Sequence, residues 1–127
     1  LDLIRLATPT TDARRLPAVL EGATGFLYYV SIMGVTGTKT IDQANVTAAL
    51  KRIKTATTLS VAVGFGIKTE ADAAAVAKSA DAAVVGSALV SEIGKFVDPT
   101  GKVSPGAAEA VLSLTRRLAE AAHGARV

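Results

Sequence analysis

The sequence predicts an α/β fold: four strand–helix units laid around a parallel sheet. Short apolar runs alternate with longer stretches of helical periodicity. The runs are nearly continuous in Val, Ile, Leu and Ala, as suits parallel strands buried on both faces. A turn or a small-residue cluster closes each run. Such a repeat builds either an open doubly wound sheet or half of an eight-fold barrel, and periodicity does not choose between them.

The first strand is expected over Leu3–Ala7, ending at Thr8-Pro9-Thr10-Thr11-Asp12. Thr10 or Thr11 can cap a helix over roughly Asp12 to Glu21. Gly22 and Gly25 close it and lead into a second strand, Phe26–Ser31. A Gly- and Thr-rich loop, Ile32–Thr40, precedes a helix near Gln43–Thr57, whose Val46, Ala49, Leu50 and Ile53 recur at helical spacing. The third strand, Leu59–Val63, runs into Gly64-Phe65-Gly66. Thr69-Glu70-Ala71-Asp72 opens an alanine-rich helix that reaches Ser79 or Ala80. The fourth strand, Ala82–Val85, passes straight into Gly86-Ser87 and a short helix to about Ile93. Asp98-Pro99-Thr100-Gly101 reads as a turn before a last helix over about Pro105–Ala122, with Val111, Leu114 and Leu118 on one face.

Within each strand, alternation sorts side chains between faces. Phe26, Tyr28 and Val30 share a face, as do Ile4 and Leu6. If those faces are a barrel interior they line an apolar, partly aromatic pocket; otherwise Tyr28 is a core tyrosine with a satisfied hydroxyl. Arg5 points the opposite way and is expected to pair with a carboxylate on a covering helix.

Composition excludes several functions. The chain has 127 residues, half of them hydrophobic and 20% charged, which suits one folded domain rather than a disordered segment. Absent cysteines rule out disulfides, thiolate metal sites and cysteine nucleophiles, and fit a reducing cytoplasm. The net charge is +3, and Arg14-Arg15, Lys51-Arg52 and Arg116-Arg117 fall in separate helices without interleaved aromatics. A nucleic-acid surface needs a clustered basic stripe, so no nucleic-acid partner is expected. No apolar run reaches the roughly 18–20 residues of a membrane span. Leu1 opens directly into an apolar run with no basic leader, which suggests a fragment whose upstream part is missing.

In either α/β architecture, ligands bind at the C-terminal ends of the strands. There the sequence places Gly64-Phe65-Gly66 and Gly86-Ser87, the second at a helix start. Glycine lets backbone amides approach an anion, and a helix N-terminus adds unpaired donors and partial positive charge. Barrels commonly bind phosphate after their last two strands, beside a short extra helix. Such glycines can also simply end strands, but two on adjacent strands favour phosphate. Neither a third glycine in register nor a Walker A pattern supports a nucleotide fingerprint. The loop Ile32–Thr40 is either a closing lid or a surface linker. None of the eleven carboxylates ends a strand, His123 falls in the frayed C-terminal tail, and no metal-ligand cluster is present.

Three segments, Gly25-Phe26-Leu27-Tyr28-Tyr29-Val30-Ser31-Ile32-Met33-Gly34-Val35-Thr36-Gly37, Gly64-Phe65-Gly66-Ile67 and Val84-Val85-Gly86-Ser87-Ala88-Leu89-Val90, together resemble the tryptophan synthase alpha chain. The order and spacing match from about Leu3 to the final helix, and the Tyr-x-x-Ser-x-x-Gly-Val-Thr-Gly run is the most specific part. The resemblance implies a (β/α)8 TIM barrel of which this chain supplies the last four βα units. It implies aldol cleavage of indole-3-glycerol phosphate to indole and glyceraldehyde 3-phosphate. It also implies an alpha2-beta2 complex with a beta chain that carries pyridoxal phosphate, this chain needing no cofactor of its own. Leu6 and Tyr28 would line the indole pocket, and Thr36 would sit in the lid and help position a catalytic aspartate. Gly37, Gly64, Phe65, Gly66, Gly86 and Ser87 would surround the phosphate. The family's catalytic glutamate and aspartate lie in the first half of the barrel, with no counterpart here. Without that pair the isolated chain is expected to be inactive, and a half-barrel alone would expose two sheet edges and an apolar interior, an aggregation risk unless something pairs with it. Another phosphosugar isomerase or synthase barrel is the remaining reading.

Overall fold

The structure, a computed structural model, describes residues 1–31, 43–64 and 66–126. Strands β1 (Arg5–Ala7), β2 (Phe26–Val30), β3 (Ser60–Gly64) and β4 (Ala82–Val84) form one parallel sheet in the order β1-β2-β3-β4. Between and after them come α1 (Leu16–Leu20), α2 (Gln43–Ala56), α3 (Glu70–Ala77), α4 (Ser87–Gly94) and α5 (Ala107–Gly124). Each strand neighbours the next in sequence, without the reversal of order that defines a doubly wound sheet.

Burial decides what periodicity left open. Ala7, Leu27, Tyr29, Val61 and Val63 lie on one face, form a single core with Leu16, Val46, Leu50, Ile53, Val76 and Leu118 from the helices, and are almost wholly buried. The alternate residues face away from that layer and are unevenly covered: Ala62 is buried at the middle of the sheet, but on the outer strands Leu6 is 59% and Val84 36% exposed. The helices therefore cover one face, the geometry of a barrel wall. The expectation of strands buried on both faces is met only in part: on the concave side Ala62 and Gly64 are buried, while Leu6, Ala82 and Val84 are exposed among the described residues.

α2 forms as its periodicity demands, with Val46, Ala49, Leu50 and Ile53 all buried. α1 does not: it spans only Leu16–Leu20 rather than starting at Asp12. The Asp12 carboxylate accepts the Arg14 and Arg15 amides at 3.0 and 2.8 Å, holding the chain in turns until Pro17 sets the first helical residues. Thr11 does not cap the helix. It is buried, its hydroxyl accepts the Thr8 amide, and its carbonyl accepts the Arg52 guanidinium at 2.8 Å. Arg5 reaches the Glu21 backbone carbonyl at 3.5 Å instead of a carboxylate, since short α1 places its terminal carbonyl there.

The capping box predicted at Thr69 is formed. The Thr69 hydroxyl accepts the Asp72 amide, and the Asp72 carboxylate accepts the Lys68 and Thr69 amides at 3.0 and 2.9 Å. Burial alone would raise the Asp72 pKa, but these amides outweigh it and hold the carboxyl below its ordinary value. A folded value below the unfolded one adds stability above the unfolded pKa of about 3.9, lost as pH falls through the folded value. Asp72→Ala should therefore cost about 1 kcal/mol at neutral pH, with the gap to the parent chain in urea titrations closing in strong acid.

α5 starts at Ala107, not Pro105, because Gly106 adopts φ 92°, a left-handed conformation that stops the helix extending backward. It continues to Gly124, so His123 sits on its last turn rather than in a frayed tail. α5 packs along α3 and α4, with Leu118 buried and Val111 and Leu114 half-buried, as expected. Arg126 then donates to the Ala80 carbonyl at 3.0 Å and to that of Asp81, tying the chain's end to the start of β4.

Candidate functional site

Barrel-type sheets carry chemistry at the C-terminal strand ends. Here the concave face presents the row Leu6, Tyr28, Ala62 and Ala82, and above it Val30, Gly64 and Val84. Leu6 and Tyr28 are register partners, so the two predicted pocket residues stand side by side. The adjacent tyrosines divide. Tyr29 points into the helix-side core, where burial raises its hydroxyl pKa against the opposing influence of Arg52. Tyr28 faces the concave side, half-buried.

The Tyr28 ring lies across Gly64. A β-carbon at Gly64 would overlap the tyrosine hydroxyl, with Cζ only 2.5 Å away. Gly64 thus has a packing reason to be glycine: it makes room for the Tyr28 ring. The end of β3 is also clasped by Ser31, whose amide and hydroxyl both donate to the Gly64 carbonyl at 3.0 Å. Ser31 lies in the Tyr-x-x-Ser-x-x-Gly-Val-Thr-Gly run, but its contact depends on cross-strand register, which a single sequence does not display.

Gly66 takes φ 80°, so its glycine is conformationally required. Gly86 differs. Its φ is −123°, and an added β-carbon would meet nothing within 4 Å. Neither backbone nor packing demands glycine there, and the space above it is open. Because Gly64 pairs with Val84, Gly86 stands two residues beyond the matched position on the next strand.

The helix starts beside the two glycine ends are not equivalent. At α3 the Asp72 carboxylate already occupies the Lys68 and Thr69 amides. At α4 the N-cap is Gly86, and no side chain caps the helix. The Leu89 and Val90 amides donate back to the Gly86 carbonyl, while those of Ser87 and Ala88 have no intrahelical acceptor. Of these two helix starts, α4 is therefore the one whose first amides no side chain caps.

Several of the described carboxylates serve structure away from these strand ends. Asp81 precedes β4, accepting the Val61 amide at 2.8 Å and Lys54 at 2.9 Å; Glu70 pairs with Arg117 at 2.8 Å, which holds it below the usual range; Asp98 closes the turn before Val103. His123 is exposed beside α3, far down α5 from Gly86 in sequence. Among the described residues no cluster of His, Asp or Glu could hold a metal, and no helix is long and apolar enough to cross a membrane. Phe65 and the expected lid Ile32–Thr40, with its Thr36 and Gly37, lie outside the described residues.

A sequence model described as tryptophan synthase alpha chain matches residues 1–122. The chain is 55% identical over 126 residues to the tryptophan synthase alpha chain of Novosphingobium aromaticivorans, covering 99% of this chain and 45% of that one. It is 48% identical to the alpha chain of Acidiphilium cryptum, with 99% and 46% covered. Among solved structures, tryptophan synthase subunit alpha from Legionella pneumophila superposes with a TM-score of 0.75 at 31% identity, over 98% of this chain and 43% of that one. Mycobacterium tuberculosis tryptophan synthase gives 0.75 at 34% identity, with 100% and 43% covered. This chain spans somewhat less than half the length of the curated relatives it matches.

Proposed function

Because this chain belongs to the tryptophan synthase alpha chain family, we propose that it is the phosphate-holding part of a (β/α)8 lyase of tryptophan biosynthesis. The reaction is cleavage of the bond joining indole to the glycerol phosphate unit of indole-3-glycerol phosphate, releasing indole and glyceraldehyde 3-phosphate. The Ser87 and Ala88 amides, with Gly64 and Gly66 opposite, receive the phosphate, while Leu6 and Tyr28 wall the indole. Phe65 and Gly37 complete the phosphate site, and Thr36 belongs to the lid. The observation that carries this reading is the uncapped start of α4 beneath the open space at Gly86.

Retro-aldol cleavage needs a base to take a proton and an acid to protonate the departing indole carbon. Among the described residues no carboxylate stands on the concave face near the strand ends, so both groups come from the other half of the barrel. This half binds and orients; prepared alone it does not turn over substrate. The working assembly is an alpha2-beta2 complex in the cytoplasm, in which pyridoxal phosphate belongs to the beta chain and this chain uses no cofactor.

The test follows from Gly86. An added β-carbon there meets nothing within 4 Å, so Gly86→Val is expected to change the unfolding midpoint little, while its side chain takes the ligand's place. Titrating glycerol 3-phosphate by calorimetry should show at least a tenfold loss of affinity, about 1.4 kcal/mol. Unchanged affinity would remove α4 from the phosphate site.

A further inference from the structure

β2 and β3 are the two inner strands, each paired on both sides. Where β3 ends, the Gly64 carbonyl accepts both the amide and the hydroxyl of Ser31, each at 3.0 Å. We propose that Ser31 is a positioning residue: without touching the ligand, its hydroxyl fixes the Gly64 carbonyl and so sets the turn through Gly66 that receives the phosphate. The inference rests on the phosphate reading and deepens it.

The strand end needs such a hold. Gly64 is the last residue of β3, and Gly66, with φ 80°, turns the chain away. The outgoing side of that turn is anchored by Ile67, almost wholly buried in the helix-side core. The incoming side has no such side chain, because Tyr28 leaves room at Gly64 only for hydrogen. There the hold must come through the backbone. The Ser31 amide continues the ladder one step beyond the register pair Val30 and Gly64. A carbonyl oxygen has a second lone pair, and the Ser31 hydroxyl takes it.

The direction of approach separates positioning from binding. Alternation sends Tyr28 and Val30 to the concave side and Leu27 and Tyr29 to the helix side, and Ser31 follows the latter. Its hydroxyl therefore reaches the Gly64 carbonyl from behind the sheet, while Tyr28 lies over Gly64 from the front. One segment of chain thus grips Gly64 from both faces. With Tyr28 against the indole, as proposed, that segment also sets the distance between the two ends of the substrate.

A hydrogen bond made in both the free and the bound protein raises affinity only by keeping the free site in its binding shape. Without the hydroxyl, the amide alone holds the carbonyl, the competent fraction falls, and the apparent affinity falls with it. One neutral hydrogen bond sets the scale of that loss at about two- to tenfold.

Calorimetric titration of glycerol 3-phosphate into the purified chain should show Ser31→Ala binding weaker by that factor. Ser31→Thr, which keeps the hydroxyl, should bind within about twofold of the parent, less than one hydrogen bond carries. Amide hydrogen exchange gives a readout that a general loss of stability would not produce. In Ser31→Ala the amide at position 31 should exchange faster without ligand and regain protection at saturation, while the Leu27 and Val61 amides stay as they were. The inference is overturned if Ser31→Ala binds as the parent does, or if Ser31→Thr loses as much as Ser31→Ala. It is also overturned if the amide at position 31 keeps its protection, or if Leu27 and Val61 lose theirs equally. Gly86→Val separates the two claims: if it weakens binding and Ser31→Ala does not, the phosphate reading stands and this inference falls. A parent chain that does not bind glycerol 3-phosphate overturns both.

Discussion

Gly64→Val is expected to destabilise the chain by about 1–3 kcal/mol, the range for overpacking a filled site, and to abolish measurable ligand binding. Both losses arise from one contact. The new side chain would enter the space of the Tyr28 hydroxyl and ring, and β3 cannot retreat while Ser31 holds the Gly64 carbonyl. The tyrosine must swing away over the concave face, where the proposed indole pocket lies. Urea titration reads the stability change, and calorimetry with an indole-bearing phosphate reads the binding. Adding Tyr28→Val should recover most of the stability by removing the obstructing ring, without restoring the pocket wall. Were Gly64 needed only to let amides approach phosphate, Gly64→Val would keep its midpoint, and the second substitution would rescue nothing.

Leu27→Ala is expected to cost about 2–5 kcal/mol, the range for emptying a closed core position. Leu27 is wholly buried on the helix side of β2, between its register partners Arg5 and Val61. β2 is an inner strand, so no edge is free to relax into the space left behind. A domain's whole stability is about 5–15 kcal/mol, and this loss should leave a substantial unfolded population. Thermal melts followed by circular dichroism would show a large downward shift in midpoint. Leu6→Ala on the concave side of the neighbouring strand should shift the midpoint far less, because Leu6 is already half in solvent. The contrast between the two leucines measures directly which face of the sheet is covered.

Much of this architecture was legible because apolar spacing reports burial on the helix side. Val46, Ala49, Leu50 and Ile53 announced α2, and Thr69 with Asp72 announced the start of α3. Where side chains compete with the backbone, the sequence misled: Asp12 holds turns where a helix was expected, and Gly106 delays α5 past Pro105. Strand composition also suggested cover on both faces, since an apolar inner wall reads the same whether or not its other half is present.

The site was legible at the level of strand ends, not of individual roles. All the candidate glycines were visible, yet the sequence could not separate Gly64, required by a tyrosine on another strand, from Gly86, which the protein itself does not require. That distinction lives in cross-strand register. Nor could glycine spacing tell that Asp72 already occupies the Lys68 and Thr69 amides before α3, while no side chain caps α4.

The division of labour between the halves is tested most directly by assaying indole release from indole-3-glycerol phosphate. The assay would use the chain prepared as these 127 residues, alone and with the first half of a relative's barrel supplied. With the acid–base pair in the missing half, the prediction is no turnover by the chain alone and indole release only with the complement present. Turnover by the chain alone would contradict it, since an acid and a base would then have to lie within these residues.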